Sequence, residues 1–153
     1  MKLAEALILR ADTQNRLYAL RDRLHRSGRV QEGEQPPEPM VDLLTELNQL
    51  LKEFTRLVQS TNYTNTHTAF DDTLTLSDAL ASRDTLKLHI ETLRNLIQTS
   101  SHIDFRQGRS EIKVVSTFNI ADMQKEASNL ARELRELDTR IQQFNWNTDL
   151  IER

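Results

Sequence analysis

The sequence predicts a mainly α protein, an antiparallel bundle of four long helices with a small β-hairpin before the last helix. Glycine and proline together number 6 in 153 residues, where average usage would give about 18, and folds rich in turns need more of both. Leucine-rich stripes at three- and four-residue steps recur along most of the chain, as on amphipathic helices. We therefore expect a single helical domain over residues 1–153.

The first helix is predicted at residues 3–27, with Gly28 just past its end, where a left-handed residue is common. All three prolines and two of the three glycines fall within residues 28–39, which we expect to form a long loop. Helix 1 begins with an almost unbroken apolar run, typical of a segment buried on every side. A subunit interface would bury it, and a roof made by the hairpin and the long loop is the alternative.

The second and third helices are predicted at residues 40–60 and 77–101, each from an apolar stripe. Between them, residues 61–75 are rich in threonine and asparagine. Such side chains compete for backbone hydrogen bonds and bury little apolar surface, so we expect an irregular segment here. Residues 102–118 are enriched in β-branched and aromatic side chains around Gly108, which predicts the hairpin.

The fourth helix, predicted at residues 119–145 with Asn119 as its cap, has the most regular pattern. Its apolar residues alternate steps of three and four, which is a heptad seam. Such a seam closes within one chain or against a second copy, and the pattern does not choose between the two. We expect a homo-oligomer. The predicted interface residues are Leu3, Leu7, Ile8, Met123, Leu130, Leu134, Leu137 and Ile141.

Polar residues interrupt two of the apolar stripes, namely Arg10 and Gln14 in helix 1 and Arg83 beside Asp84 in helix 3. Buried charges must be paired, so we expect Arg10 to meet Asp84 across helices. Such a cluster would fix the helix register as an ion pair, and it is also our candidate site for an anionic ligand.

Catalytic and metal-binding motifs are missing from the sequence. The chain has no cysteine, which excludes disulfides and thiol chemistry. Its four histidines are scattered, and none follows a glutamate at the three-residue spacing used by metal sites in bundles. Three glycines could hardly form a phosphate-binding or dinucleotide loop. We therefore predict no metal, no cofactor and no catalytic residue, and we leave the question of an enzyme open, leaning against it.

Charge is uneven along the chain, because residues 1–30 are basic while the whole chain has a net charge of −3. Phosphates bind such clusters, so nucleic-acid binding is an alternative, although helix C-termini also favour cations. Neither a signal peptide nor a membrane span is evident, so we predict a cytoplasmic protein without a membrane role. The basic residues concerned are Arg16, Arg21, Arg23, Arg26 and Arg29.

Several strings resemble a family of small uncharacterised bacterial proteins named septicolysin-like. They include Leu76-Ser77-Asp78-Ala79-Leu80 with Arg83-Asp84, and Arg109-Ser110-Glu111-Ile112-Lys113. The resemblance implies a bacterial cytoplasmic protein and supplies no activity or functional residue. We therefore expect a self-associating structural or interaction protein of unknown function. The alternatives are a small-ligand binder or enzyme that uses the polar cluster, and a nucleic-acid binder that uses the basic end of helix 1.

Overall fold

The computed structural model describes residues 1–101 and 113–152. They contain four helices: α1 (Leu3–Ser27), α2 (Met40–His67), α3 (Leu76–Ser100) and α4 (Ile120–Asn147). The prediction of a mainly α protein is confirmed. Residues 102–112 of the predicted hairpin lie outside the described residues, and the remainder, 113–118, contains no strand.

The chain divides into two compact units. The first unit consists of Met1–Ser77 and Gln143–Arg153, and the second of Asp78–Gln142. The first unit holds α1 and α2, while most of α3 and α4 belongs to the second.

In the first unit, α1 and α2 pack against each other as an antiparallel pair. Early in α1, Arg10 contacts Thr61 near the end of α2, and late in α1, Arg23 contacts Glu46 near the start of α2. The core between them is aliphatic, because the apolar stripes of both helices meet there. It is formed by Leu20, Leu43 and Leu50, with Leu17, Leu24 and Leu47 packed around them.

The two ends of the chain pair with each other in the first unit. Leu3 donates its backbone N–H to the Thr148 carbonyl at 2.9 Å, and Leu150 donates to the Met1 carbonyl, also at 2.9 Å. The Lys2 ammonium lies 2.7 Å from the Asp149 carboxylate, and this cation lowers the pKa of Asp149. These contacts satisfy backbone groups that would otherwise be left unpaired beyond the helix ends.

Helix α1 ends at Ser27 as predicted, but the backbone of Gly28 is not in the predicted left-handed conformation. Gly28 has φ −77°, which is right-handed, and the left-handed glycine is Gly33 at φ 89°. A side chain at residue 28 would bring its Cβ to 3.2 Å from the Leu24 carbonyl oxygen. Any other residue would therefore need a shift of a few tenths of an ångström at this carbonyl.

Helix α2 continues to His67 instead of ending near residue 60. The hydroxyls of Thr61 and Thr64 donate to backbone carbonyls three and four residues earlier, so they do not compete with the helical hydrogen bonds. Both side chains are fully buried. Burial in the α1–α2 pair thus overrides the low helix propensity of this polar stretch.

In the second unit, α3 and α4 contact each other through the faces that the sequence predicts. Ile90 of α3 and Leu134 of α4 line the same groove, and an Arg83 nitrogen lies 3.8 Å from an Asp138 oxygen. At the start of α4, the side chain of Asn119 accepts the Asp122 backbone N–H at 3.1 Å. The predicted cap is therefore confirmed.

Candidate functional site

The predicted polar residues of α1 have neutral partners. Arg10 is half-buried, and its guanidinium lies 3.5 Å from the Thr61 hydroxyl, at the limit of a hydrogen bond. Gln14 is exposed and donates to the Tyr18 hydroxyl at 2.9 Å. Arg10 and Asp84 belong to different units, so a paired cluster of Arg10 and Asp84 stays a prediction.

The predicted polar residues of α3 contact each other. Arg83 donates to the Asp84 carboxylate from Nε at 3.1 Å and from Nη2 at 3.0 Å. A third guanidinium nitrogen faces Asp138 of α4. Only 23% of the Arg83 side chain is exposed, because it interrupts the apolar stripe of α3. Its carboxylate neighbours satisfy a charge that would be costly if it were unpaired.

A cluster of buried hydroxyls lies between α1 and α2, and the sequence analysis did not anticipate it. It includes Thr13, which donates to the Leu9 carbonyl, and Thr64, whose hydroxyl oxygen accepts the Ile151 backbone N–H at 2.9 Å. The Ser60 hydroxyl is fully buried and has no hydrogen-bond partner among the described residues. The sequence signal that could have indicated these buried hydroxyls is a threonine at an apolar position of a helical stripe. The members are Thr13, Ser60, Thr61 and Thr64, each 0% exposed.

The predicted interface residues differ in how exposed their side chains are within a single chain. Leu3 and Ile141 are fully buried, whereas 60% of Ile8 is exposed. The rest are half-buried, which leaves part of each side chain accessible. They are Leu7, Met123, Leu130, Leu134 and Leu137.

A groove of about 250 Å³ runs between α3 and α4. Ile90 and Leu134 contribute its apolar surface. Lys87, Glu91, Arg94 and Asn95 complete its lining. The groove leaves Leu134 of the α4 seam half-buried between the two helices.

Other large apolar side chains are exposed along the helices. Val41 and Leu51 are exposed on α2, and Leu88 on α3. An open cavity of about 690 Å³ lies along α2, where Leu51 is bordered by polar and charged side chains. Single exposed apolar side chains of this kind are ordinary on protein surfaces and by themselves indicate no partner.

Several charged groups with shifted pKa values lie in ion pairs at the surface. The pKa values of Arg23, Glu38 and Asp149 depart from the ordinary ones, and each of these groups is in a surface ion pair. Within residues 1–101 and 113–152, no three or more His, Asp or Glu side chains converge as metal ligands would. The same part of the chain contains no helix long and apolar enough to cross a membrane.

Comparisons with known proteins show relatives whose function is unknown. A family of unknown function, DUF6847, matches residues 10–150. A crystal structure of a functionally unknown conserved protein from Corynebacterium diphtheriae is 40% identical, covers 99% of each chain and has a TM-score of 0.92. Neither description carries the septicolysin name. No curated protein matches the chain.

Proposed function

Since the chain belongs to DUF6847, a family of unknown function, we propose from its geometry that it is an interaction protein that self-associates. The proposed contact is the α3–α4 pair, with a second copy of the same chain as the partner. The paired helices would then form a bundle in which each copy supplies two helices.

The observation that carries the proposal is the incomplete burial of the α4 seam. Its eight apolar residues step by three and four without a break, yet only Ala127 and Ile141 are buried. Leu130, Leu134 and Leu137 are half-buried in succession. A seam that repeats every seven residues specifies packing against another helix along its whole length.

The free energy available from the seam is sufficient for association. Covering the remaining surface of one half-buried leucine contributes about 1 kcal/mol. Three leucines from each of two copies therefore contribute about 6 kcal/mol, to which the rest of the interface adds. Association itself costs at least about 4 kcal/mol in lost translation and rotation, so an extended contact along the seam is required.

The experiment compares Leu130→Glu, in the α4 seam, with Leu88→Glu, a matched change at a side chain of α3 that is 63% exposed. Circular dichroism establishes that each variant is helical, and light scattering after size exclusion gives its mass. We expect Leu130→Glu to be a monomer and Leu88→Glu to keep the wild-type mass. An oligomer that tolerates Leu130→Glu would place the contact elsewhere and contradict the proposal.

A further inference from the structure

The loop between α1 and α2, residues 28–39, is held in place by an ion-pair cluster. Arg23 of α1 contacts Glu38 of the loop at 2.6 Å and Glu46 of α2 at 3.0 Å. Gly33 supplies the left-handed residue of a turn that is closed by a hydrogen bond from the Glu34 N–H to the Gln31 carbonyl. Three prolines restrict the rest of the loop, because each fixes its own φ.

This loop and the last turn of α1 border an open cavity of about 420 Å³ at the surface, and all of its lining residues are exposed. Its lining combines cationic and amide donors with two apolar side chains and one acid. The lining residues are Arg26, Arg29, Val30, Gln31, Glu34, Gln35 and Pro37.

The two arginines of this cavity retain their charge for a ligand. Glu38 and Glu46 both contact Arg23, although the charge of Arg26 also contributes to lowering the pKa of Glu38. Among the described residues, no carboxylate lies within ion-pair distance of Arg26 or Arg29. Glu38 and Glu46 are thus paired with Arg23, and Glu34 is the acid that remains in the lining of the cavity.

We propose that this cavity binds the phosphate of a phosphorylated small molecule of nucleotide size. Guanidinium groups match phosphate oxygens with two parallel hydrogen bonds, and Arg26 and Arg29 would provide them. The amides of Gln31 and Gln35 donate to the remaining oxygens, and Val30 and Pro37 cover the apolar part of the ligand. Because the loop is already ordered, binding does not carry the cost of folding it.

The test uses pyrophosphate and ATP as probes and measures binding by calorimetry and by the shift in melting temperature. The variant is Arg26→Gln combined with Arg29→Gln, and Arg29→Gln alone is a milder version. Arg16→Gln is the matched control, since Arg16 is an exposed arginine of the same helix outside the cavity. A single-stranded oligonucleotide is tested in parallel.

We expect both probes to raise the melting temperature of the wild type and of Arg16→Gln. The double variant should keep the melting temperature of the unliganded protein and bind about tenfold more weakly or worse, through loss of the charge-assisted hydrogen bonds. Equal binding by the double variant, or no binding by the wild type at millimolar probe, would overturn the proposal. Binding of the oligonucleotide alone would also overturn it, in favour of a nucleic-acid surface. A third outcome is that the probes do not affect the wild type while the unliganded double variant melts at a lower temperature. That result would show that the two arginines only stabilise the C-terminal end of α1.

Discussion

The guanidinium of Arg23 holds the carboxylate of Glu38 through two hydrogen bonds, from Nη2 at 2.6 Å and from Nε at 3.0 Å. The same side chain reaches Glu46, so one residue connects α1, the loop and α2. These hydrogen bonds lower the pKa of Glu38 and raise that of Arg23. The arrangement is bidentate, which makes it more specific than most surface ion pairs.

Acid should weaken this connection. A carboxylate whose pKa is lowered by folding contributes stability above its unfolded pKa, here near the ordinary 4.5, and loses that contribution as the pH falls through the folded value. We expect Glu38→Gln to melt a few degrees lower than wild type at pH 7. The difference should shrink as the pH is lowered below 4.5. Melting curves of both proteins over this range check the prediction, and a constant difference at every pH would contradict it.

The segment after α4 should stabilise the first unit. Removing residues 148–153 deletes the Lys2–Asp149 ion pair and three long-range hydrogen bonds: Leu3 to Thr148, Leu150 to Met1, and Ile151 to the Thr64 hydroxyl. At about 1 kcal/mol each, their loss should lower the free energy of unfolding by about 3 kcal/mol. Removing 151–153 deletes only the last of them and should cost about 1 kcal/mol. Urea unfolding of the two truncated chains gives these values, and equal stability of both with the full chain would be the contrary result.

Removing the hydroxyl of Ser60 and removing that of Thr64 should have different effects on the free energy of unfolding. The Ser60 hydroxyl has no hydrogen-bond partner within residues 1–101 and 113–152, so Ser60→Ala should be neutral or stabilise the protein by up to about 1 kcal/mol. Thr64 accepts the Ile151 N–H, so Thr64→Val should destabilise by about 1–3 kcal/mol because a backbone donor loses its acceptor. Chemical unfolding of the two variants tests the pair. Loss of stability in Ser60→Ala, equal to that in Thr64→Val, would mean that Ser60 has a bonded partner in solution.

Arg83 should determine how two copies of the chain associate, and it should contribute little to the free energy of unfolding. It is a charged residue in the apolar stripe of α3, paired with Asp84 and facing Asp138. Polar residues in such seams fix register at a cost in stability. We expect Arg83→Leu to unfold at equal or higher denaturant and to populate more than one oligomer. A less stable variant of a single mass would show instead that the ion pairs hold the unit together.

The local patterns of the sequence predicted much of the fold, and its long-range contacts were not predictable. The start and cap of α4 follow from Asn119 and the heptad seam alone, because both are local signals. The continuation of α2 through Thr61 and Thr64 depends on burial against another helix, which periodicity does not reveal. In the basic run, Arg23 could not be distinguished from Arg26 and Arg29. The difference arises from Glu38 and Glu46, which lie 15 and 23 residues away in sequence.

The candidate site was predictable only in part, for the same reason. Arg83 pairs with its sequence neighbour Asp84, whereas the sequence analysis expected Asp84 to meet Arg10. Arg10 contacts the neutral Thr61, which lies 51 residues away in the sequence. The periodic pattern within one helix does not reveal which distant residue a side chain contacts. The alternative of a small ligand held by Arg10 and Gln14 therefore stays a prediction.

Sedimentation equilibrium of the wild-type chain, from about 1 to 100 μM, tests self-association most directly, because mass action makes the mass of an associating chain depend on concentration. We expect a dimer or a larger closed oligomer, with the mass falling toward 17.8 kDa on dilution if dissociation occurs within this range. A mass of 17.8 kDa even at the highest concentration would rule out self-association and mean that the half-buried seam of α4 faces solvent in the native protein.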